Sequence, residues 1–349
     1  MTSSAGTPAA RRTTRPTLAT IAASAGVSVA TVSKVVNGRD DVAEQTRAHV
    51  QALLRQHDYA SPTTRRVAAG TTVEFLINGV FAAYATEVVD GVITEGAESG
   101  TSVVVGKMQD ASRLGRAPGV WARELKVAGR AGVVVVTGEL TGDHVDALAE
   151  VGLPLVVIDP VNLPRSSVTS VGSTNFTGGF TATQHLLGLG HRRIGYVGGP
   201  PKSGCNQARL HGYRAAHEVA GVHPRPELIG NQNFDYECGL ELGARILALP
   251  DPPTGIVAGS DSIALGVIEA ARRRGLRVPD DLSVTGFDDT ELAAAATPPL
   301  TVIRQPLHEM GRVALRTVLR MAAGETLDSH HVELATQLVV RGSTGPAPR

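Results

Sequence analysis

The sequence predicts an α/β chain in which a small all-α helix-turn-helix headpiece precedes two similar lobes of parallel sheet. Three observations predict it. Two short segments with apolar residues at helical spacing lie on either side of Gly26, and a tight turn between helices favours a residue that tolerates positive φ. From Thr72 onward, short continuous apolar runs alternate with longer amphipathic stretches, which is the pattern of parallel strands covered on both faces. The apolar runs are too numerous for one sheet, so they divide between two lobes.

The elements follow in order. Residues 1–16 are small, polar and basic, a composition that predicts a disordered arm and contains no apolar core of a secretory signal. The headpiece spans 17–61. Leu18, Ile21 and Ala22 give its first helix one apolar face. Ser28 is placed to cap a second helix running from Val29 to about Val36. Val32, Val35 and Val36 then face inward, and Ala30, Thr31, Ser33 and Lys34 face out. Asn37-Gly38 is a helix-stop pair. A third helix is expected over 44–57 with Val50, Leu53 and Leu54 inward, and Tyr59 closing the small core. Residues 62–71 read as a linker, and 72–349 hold the two lobes. Their buried strands are expected at 73–77, 102–105, 132–136, 155–158, 194–197, 256–258 and 283–287. Helices are expected at 87–99, 178–189, 208–220, 236–249 and 263–274.

The net charge of the 349 residues is zero, but it is unevenly spread. Residues 1–70 hold nine Lys/Arg (Arg11, Arg12, Arg15, Lys34, Arg39, Arg47, Arg55, Arg65, Arg66) against four acids (Asp40, Asp41, Glu44, Asp58), a net of +5, which leaves −5 on the remainder. A basic helix-turn-helix on an acidic body predicts nucleic acid as the partner of the first part. Cys205 and Cys238 lie far apart without metal-ligand spacing, so a reducing compartment is expected. There is no apolar run of bilayer length, and the expected location is the cytoplasm.

The residues go further than spacing. The run Leu18-Ala19-Thr20-Ile21-Ala22, then Ala25-Gly26-Val27-Ser28, Thr31-Val32-Ser33-Lys34-Val35-Val36-Asn37-Gly38, and Thr46-Arg47 through Asp58-Tyr59 resembles the headpiece of the LacI/GalR family of bacterial transcriptional regulators. Four later runs resemble that family's effector domain: Leu189-Gly190-His191-Arg192-Arg193-Ile194-Gly195-Tyr196-Val197-Gly198-Gly199-Pro200, Arg209-Leu210-His211-Gly212-Tyr213, Ser260-Asp261-Ser262-Ile263-Ala264-Leu265-Gly266 and Val278-Pro279-Asp280-Asp281-Leu282-Ser283-Val284-Thr285-Gly286-Phe287-Asp288-Asp289. So does Pro298-Pro299-Leu300-Thr301-Val302-Ile303-Arg304-Gln305-Pro306. The resemblance runs from Thr17 to about Arg341. It implies a two-lobed domain like a periplasmic sugar-binding protein, hinged by three crossings near 159–172, 299–304 and 333–335. It also implies a homodimer on a palindromic double-stranded DNA operator, most often as a repressor of sugar-use genes.

By position in that family, Thr17, Ser28, Val29, Ala30, Thr31, Ser33, Lys34 and Asn37 are the expected DNA contacts. Val29 and Ala30 correspond to residues that meet base edges, where apolar side chains can touch a thymine methyl. Two departures stand out. Ala43 occupies a position where relatives usually carry a capping serine. The linker holds Arg65, Arg66 and Val67 where relatives wedge a leucine into the minor groove. Arg65 and Arg66 suit phosphates or a narrow minor groove, and Val67 is the one apolar candidate for a wedge. Relatives that tetramerise have a leucine-heptad tail, whereas Arg341 is followed here by Gly-Ser-Thr-Gly-Pro-Ala-Pro-Arg, so a dimer is expected.

Ligands of parallel α/β lobes bind beyond the carboxyl ends of strands. Asp159, Ser260, Asp261, Asp288 and Asp289 each follow a strand run. Carboxylates and hydroxyls are what sugar hydroxyls need, Arg209 adds a multi-donor fork, and Phe234 or Tyr84 can cover the apolar face of a pyranose. Tyr84, Asp159, Cys205, Arg209, Phe234, Ser260 and Asp288 are the expected effector contacts. Ser260 stands where relatives often have asparagine, and Cys205 where serine is frequent, which implies a ligand unlike lactose. Asp261 is read rather as the cap of the helix from Ser262, and Asp289 as the cap of the next segment. His191-Arg192-Arg193 shapes the start of a strand. No cofactor, metal or catalytic group is expected. Gly198-Gly199-Pro200-Pro201-Lys202-Ser203-Gly204 lacks P-loop spacing, Gly259-Ser260-Asp261 is no nucleophile elbow, and the histidines do not cluster. A transport receptor without DNA function and a sugar-processing enzyme are the competing classes. The basic headpiece speaks against the first, and the missing catalytic constellation against the second.

Overall fold

The computed structural model describes residues 18–36, 43–56, 70–77, 82–108, 117–137, 140–161 and 165–348. The chain divides into two units between Gly70 and Thr71.

The first unit contains α1 (Leu18–Ala25), α2 (Val29–Val36) and α3 (Glu44–Gln56). Gly26 takes φ +64° between α1 and α2, a left-handed turn residue as its position requires. Ser28 Oγ accepts the backbone N–H of Thr31 at 3.1 Å, so the predicted cap of α2 forms. Ile21, Ala22, Val32, Val35 and Val50 make the core, with Leu18, Ala25, Val27, Leu53 and Leu54 packed against it. The inward set read from the sequence is this one, except that the side chain of Val36 lies outside the described residues. So do Asn37, Gly38, His57 and Tyr59. At the start of α3 the Ala43 carbonyl accepts the N–H of Arg47. Alanine offers no side-chain acceptor there, at a cost of about 1 kcal/mol relative to serine.

The second unit has two lobes, each a six-stranded sheet. The N-lobe holds β1 (Thr72–Ile77), α4 (Ala83–Ser99), β2 (Ser102–Lys107), α5 (Pro118–Val127), β3 (Arg130–Val136), α6 (Gly142–Glu150), β4 (Leu155–Ile158) and β5 (Thr169–Ser173). The C-lobe follows with α7 (Asn175–Gly188), β6 (Ile194–Gly198), α8 (Gly204–Val219), β7 (Ile229–Asn231), α9 (Tyr236–Leu247), β8 (Gly255–Ala258), α10 (Asp261–Arg273), β9 (Ser283–Asp288), α11 (Glu291–Ala295) and β10 (Thr301–Arg304). The chain then returns to the N-lobe for α12 (Leu307–Ala322) and β11 (His331–Leu334), and ends in the C-lobe with β12 (Gln337–Val339).

The strand orders are β11-β5-β4-β3-β1-β2 and β12-β10-β9-β8-β6-β7. The pairings are parallel except β10 with β12. Val133–Val136 pair with Leu155–Ile158 in register, and the central strands β3 and β4 are buried because helices cover both faces. One face of the N-lobe sheet packs Val73, Phe75, Val134 and Ile158 against Val88, Val92, Met310 and Leu315 of α4 and α12. The other packs Val133, Val135 and Val157 against Trp121, Leu125 and Leu148 of α5 and α6.

Three helix pairs cross in the same way: α4 with α12, α7 with α8, and α9 with α10. Each has a glycine on both helices at the crossing, Gly91 and Gly311, Gly179 and Gly212, and Gly239 and Gly266. At Gly179 a Cβ would meet the backbone carbonyl of Arg209, and at Gly212 one would meet that of Phe176. Close approach of backbones, rather than turn geometry, is what these glycines supply.

The three crossings between lobes lie slightly later than the sequence indicates. Residues 169–173 and 301–304 are strands in their own right, so the chain changes lobe at Thr174, at Gln305–Pro306 and at Ala335–Thr336. β5, with its sequence TSVGS, has too little apolar character to be read as a strand. Hydrogen bonds join the crossings. Ser173 Oγ donates to Gln305 Oε1, and the Thr336 N–H donates to Thr174 Oγ1 at 3.0 Å. After Arg341 the chain lies along the C-lobe: the Ser343 carbonyl accepts the Val284 N–H, and the Ala347 N–H donates to Leu189 O. His191, wholly buried, bonds Thr254 Oγ1 at 2.9 Å and Ser283 Oγ at 3.0 Å, ordering the approach to β6 as read from the sequence.

Candidate ligand site and DNA-binding face

A cavity of about 370 Å³ lies between the lobes, beyond the carboxyl ends of their strands. Tyr84, Asp159, Cys205, Arg209, Phe234, Ser260 and Asp288 all line it, together with Thr137, Asn233, Asp235, Asp261, Ser262 and Thr290. Its N-lobe wall is apolar where Ile77, Ala82, Ala83 and Ala85 face it. The backbone here is strained. Thr137, Asp159, Asp288 and Asp289 have φ of 48°, 42°, 113° and 62°, left-handed values that non-glycine residues hold at roughly 1–3 kcal/mol each and that cluster at ligand sites. Each ends or follows a strand, and Thr137, Asp159 and Asp288 line the cavity.

Arg209, 3% exposed, is held from several sides. Its Nε donates to Asn175 Oδ1 at 2.7 Å and its Nη1 to the carbonyl of Gly259. The guanidinium lies 3.7 Å from the Phe287 ring centre and 5.5 Å from that of Phe234. Asp288 Oδ1 stands 3.9 Å from Nη1 and accepts Gln305 Nε2 at 2.6 Å. Gln305 in turn accepts Ser173 Oγ, and Asn175 Nδ2 donates to the Ser173 carbonyl. Arg209 and Asp288 are thus each tied to a crossing between lobes.

Burial pushes the Asp288 carboxyl up to about 7, against the lowering effect of Arg209 and the Gln305 bond. Burial also raises Asp159, again against Arg209 and a hydrogen bond from Tyr84, whose hydroxyl donates to Asp159 Oδ2 at 2.7 Å. The Cys205 thiol is raised by burial and stays protonated, 3.0 Å from Ser203 Oγ.

Two expected caps are corrected. Ser260, not Asp261, caps α10, its Oγ accepting the Ile263 N–H at 3.2 Å. Asp261 already lies in the first turn, and its Oδ2 accepts the N–H and hydroxyl of Thr290 at 2.8 and 2.9 Å. Burial, then Asp288, raises its carboxyl well above the usual range. Asp289 caps nothing and pairs with Arg304 at 2.6 Å and Arg341 at 2.7 Å. Of the further lining residues, Thr137 follows β3 and was accessible to the strand-end rule. Asn233 and Asp235 follow the three-residue β7, which has too few residues to show a pattern.

On the headpiece, Val29 is 47% exposed, Ala30 and Lys34 are exposed, and Thr31 and Ser33 are half-buried on the same helix. The Ser28 and Thr31 hydroxyls bond each other at 2.8 Å. Thr17, Asn37, Arg65, Arg66 and Val67 lie outside the described residues. Among the described residues no group of acidic, histidine or cysteine side chains is placed to hold a metal, and no helix is long and apolar enough to cross a membrane.

A helix-turn-helix unit joined to a two-lobed α/β domain, with a cleft lined by carboxyls, a guanidinium and apolar surface, defines a DNA-binding regulator with a ligand domain. The profile of "Bacterial regulatory proteins, lacI family" matches residues 17–61, and that of "Periplasmic binding protein-like domain" matches 183–344. The chain is 30% identical over 343 residues to the HTH-type transcriptional repressor CytR of Escherichia coli (strain K12), covering 97% of this chain and 99% of the relative. It is 31% identical over 350 residues to the HTH-type transcriptional regulator CelR of Thermobifida fusca, covering 95% and 99%. Among solved structures, a transcriptional regulator CelR–cellobiose complex superposes with TM-score 0.70 at 31% identity, covering 94% of this chain and 100% of that one. The lac repressor dimer bound to operator and the anti-inducer ONPF superposes with TM-score 0.70 at 25% identity, covering 95% and 100%. The chain belongs to the LacI family of bacterial regulatory proteins.

Proposed function

We propose that the chain represses carbohydrate-utilisation genes as a homodimer in the cytoplasm, that a small sugar-like effector in the cleft controls its hold on a palindromic operator, and that it catalyses no reaction. One observation carries the ligand half of this reading. Asp159, Arg209, Phe234, Ser260 and Asp288, which family position marks as the best effector contacts, lie far apart in sequence, and with Tyr84 and Cys205 they line a single cavity. The cavity offers carboxyls, a guanidinium and hydroxyls together with aromatic and aliphatic surface, the mixture a pyranose requires. Closing the lobes on a ligand changes the crossings to which Arg209 and Asp288 are tied, and this couples the cleft to the rest of the chain. The test is retardation of operator DNA by the purified protein, altered by a sugar. Specific binding that no mono- or disaccharide changes overturns the effector assignment.

Lys34→Ala is expected to weaken operator binding at moderate salt, since exposed Lys34 offers a donor to guanine or phosphate. Unchanged affinity in a filter-binding titration counts against this docking. Sedimentation at micromolar protein is expected to show a dimer, the state in which two headpieces meet the two halves of a palindrome. A stable tetramer overturns that expectation.

The cleft also predicts a pH dependence. Asp288 lies at about 7 in the fold, against about 3.9 unfolded. The cost of ionising it in the empty cleft is absent below the unfolded value, grows as pH rises between the two, and is complete above 7. The ionised form accepts from sugar hydroxyls, so effector affinity is expected to fall as pH drops below 7, approaching about tenfold per pH unit. Calorimetric titrations from pH 5.5 to 8.5 check this, and Asp288→Asn should flatten the profile.

A further inference from the structure

We propose that the ligand of the inter-lobe cavity carries no anionic group: the site takes free sugars and glycosides and turns away sugar phosphates and sugar acids. This rests on the reading that the cleft holds a sugar-like effector, and it narrows the class.

The balance of charge comes first. Asp159, Asp235, Asp261 and Asp288 line the cavity, and among the described lining residues Arg209 is the one cation. Sites that take phosphate or carboxylate present an arginine fork to two oxygens at once. Arg209 is not set out that way, because two of its three nitrogens already donate within the protein, to Asn175 and to the Gly259 carbonyl. One face of the guanidinium lies against Phe287, and Asp288 stands beside it.

Helix ends are the other common source of anion affinity. Of the helices that begin at the cavity, α9 and α10 have acceptors supplied by the chain, whereas α4 and α8 begin at Ala82 and Ser203 without a side-chain cap. Asp235 Oδ1 accepts the Cys238 N–H at 2.8 Å at the start of α9. Ser260 caps α10, and Asp261 occupies its first turn. The positive ends of α9 and α10 therefore meet resident groups before any ligand arrives.

The carboxyls have little room for further negative charge. Burial raises Asp159, Asp261 and Asp288, and the presence of Asp288 raises Asp261 further. An anion placed among them must be accompanied by proton uptake or stand unpaired against them. A neutral polyol instead donates its hydroxyl protons to these oxygens and accepts from Arg209 and Ser260.

The experiment follows thermal denaturation and calorimetric binding of the full chain at pH 8 with matched probes. Glucose, ribose and cellobiose form one set, and glucose 6-phosphate, glucuronate, ribose 5-phosphate and cellobionate the other. The expected result is stabilisation by a member of the neutral set, with its anionic counterpart at least about 100-fold weaker. Asp288→Asn should lower this ratio, whatever it does to the affinity for the neutral sugar. An anionic probe that binds as tightly as its neutral partner overturns the inference and leaves the sugar reading standing. If no probe of either set binds to the folded, DNA-binding protein, both fall. A ratio unchanged in Asp288→Asn overturns the electrostatic account.

Discussion

Asp288→Ala is expected to yield a protein that binds its operator normally and no longer responds to its sugar. Asp288 ends β9, and its backbone φ of 113° turns the carboxylate into the cleft. Two hydrogen bonds from sugar hydroxyls to a carboxylate are worth roughly 1.5–3 kcal/mol each, so losing both weakens effector binding by about two orders of magnitude or more. The substitution also removes the acceptor of Gln305 Nε2 and so loosens the second crossing. Asp288→Asn separates the two effects, because its amide oxygen can still accept from Gln305 while the charge is gone. The headpiece is a separate unit, so operator affinity should barely change. Calorimetry with sugar and retardation with operator DNA read the two halves. An unchanged sugar response sinks the assignment of Asp288, as does loss of DNA binding in a protein that remains folded.

Gly179→Val is expected to show the largest loss of stability of any single change considered for the lobes. The Cβ would enter the space of the Arg209 carbonyl, and a helix backbone cannot swing aside as a side chain can. Overpacking typically costs about 1–3 kcal/mol, and this site belongs at or above the top of that range. The displaced backbone is the one that carries Arg209, and Asn175, which orients the guanidinium, lies one turn earlier on α7. Effector affinity should therefore fall together with stability. Urea denaturation of Gly179→Ala, Gly179→Val and Gly212→Ala gives the ranking. A midpoint within error of the parent for Gly179→Val would show that the crossing is not as close as described.

Much of the fold was legible because its signals are local. The apolar run Leu155–Ile158 needs no partner to be recognised, and β4 begins and ends there. The α2 cap is a contact over three residues. Short polar strands were not legible. β5, β7 and β12 have sequences TSVGS, IGN and QLV, and they are strands because a neighbouring strand supplies their hydrogen bonds. Residues 299–304 were placed in a crossing by the family resemblance, although β10 pairs with β9 before the chain leaves the lobe.

The sequence by itself determined the helix-turn-helix, the alternation of strands and helices, and the strand-end acids Asp159 and Asp288, since each depends on residues within a few positions of one another. The tertiary structure alone decided which groups support the cleft. Asn175 orients Arg209 across 34 positions, Gln305 joins Asp288 to Ser173, which lies 132 positions before Gln305, and Thr290 takes Asp261 away from the capping role its position implied. Paired glycines let α7 and α8 approach until the backbone of Arg209 touches Gly179. Hydrogen bonds and close packing act over a few ångströms whatever the distance along the chain, so these roles came into being only when the fold brought their partners together.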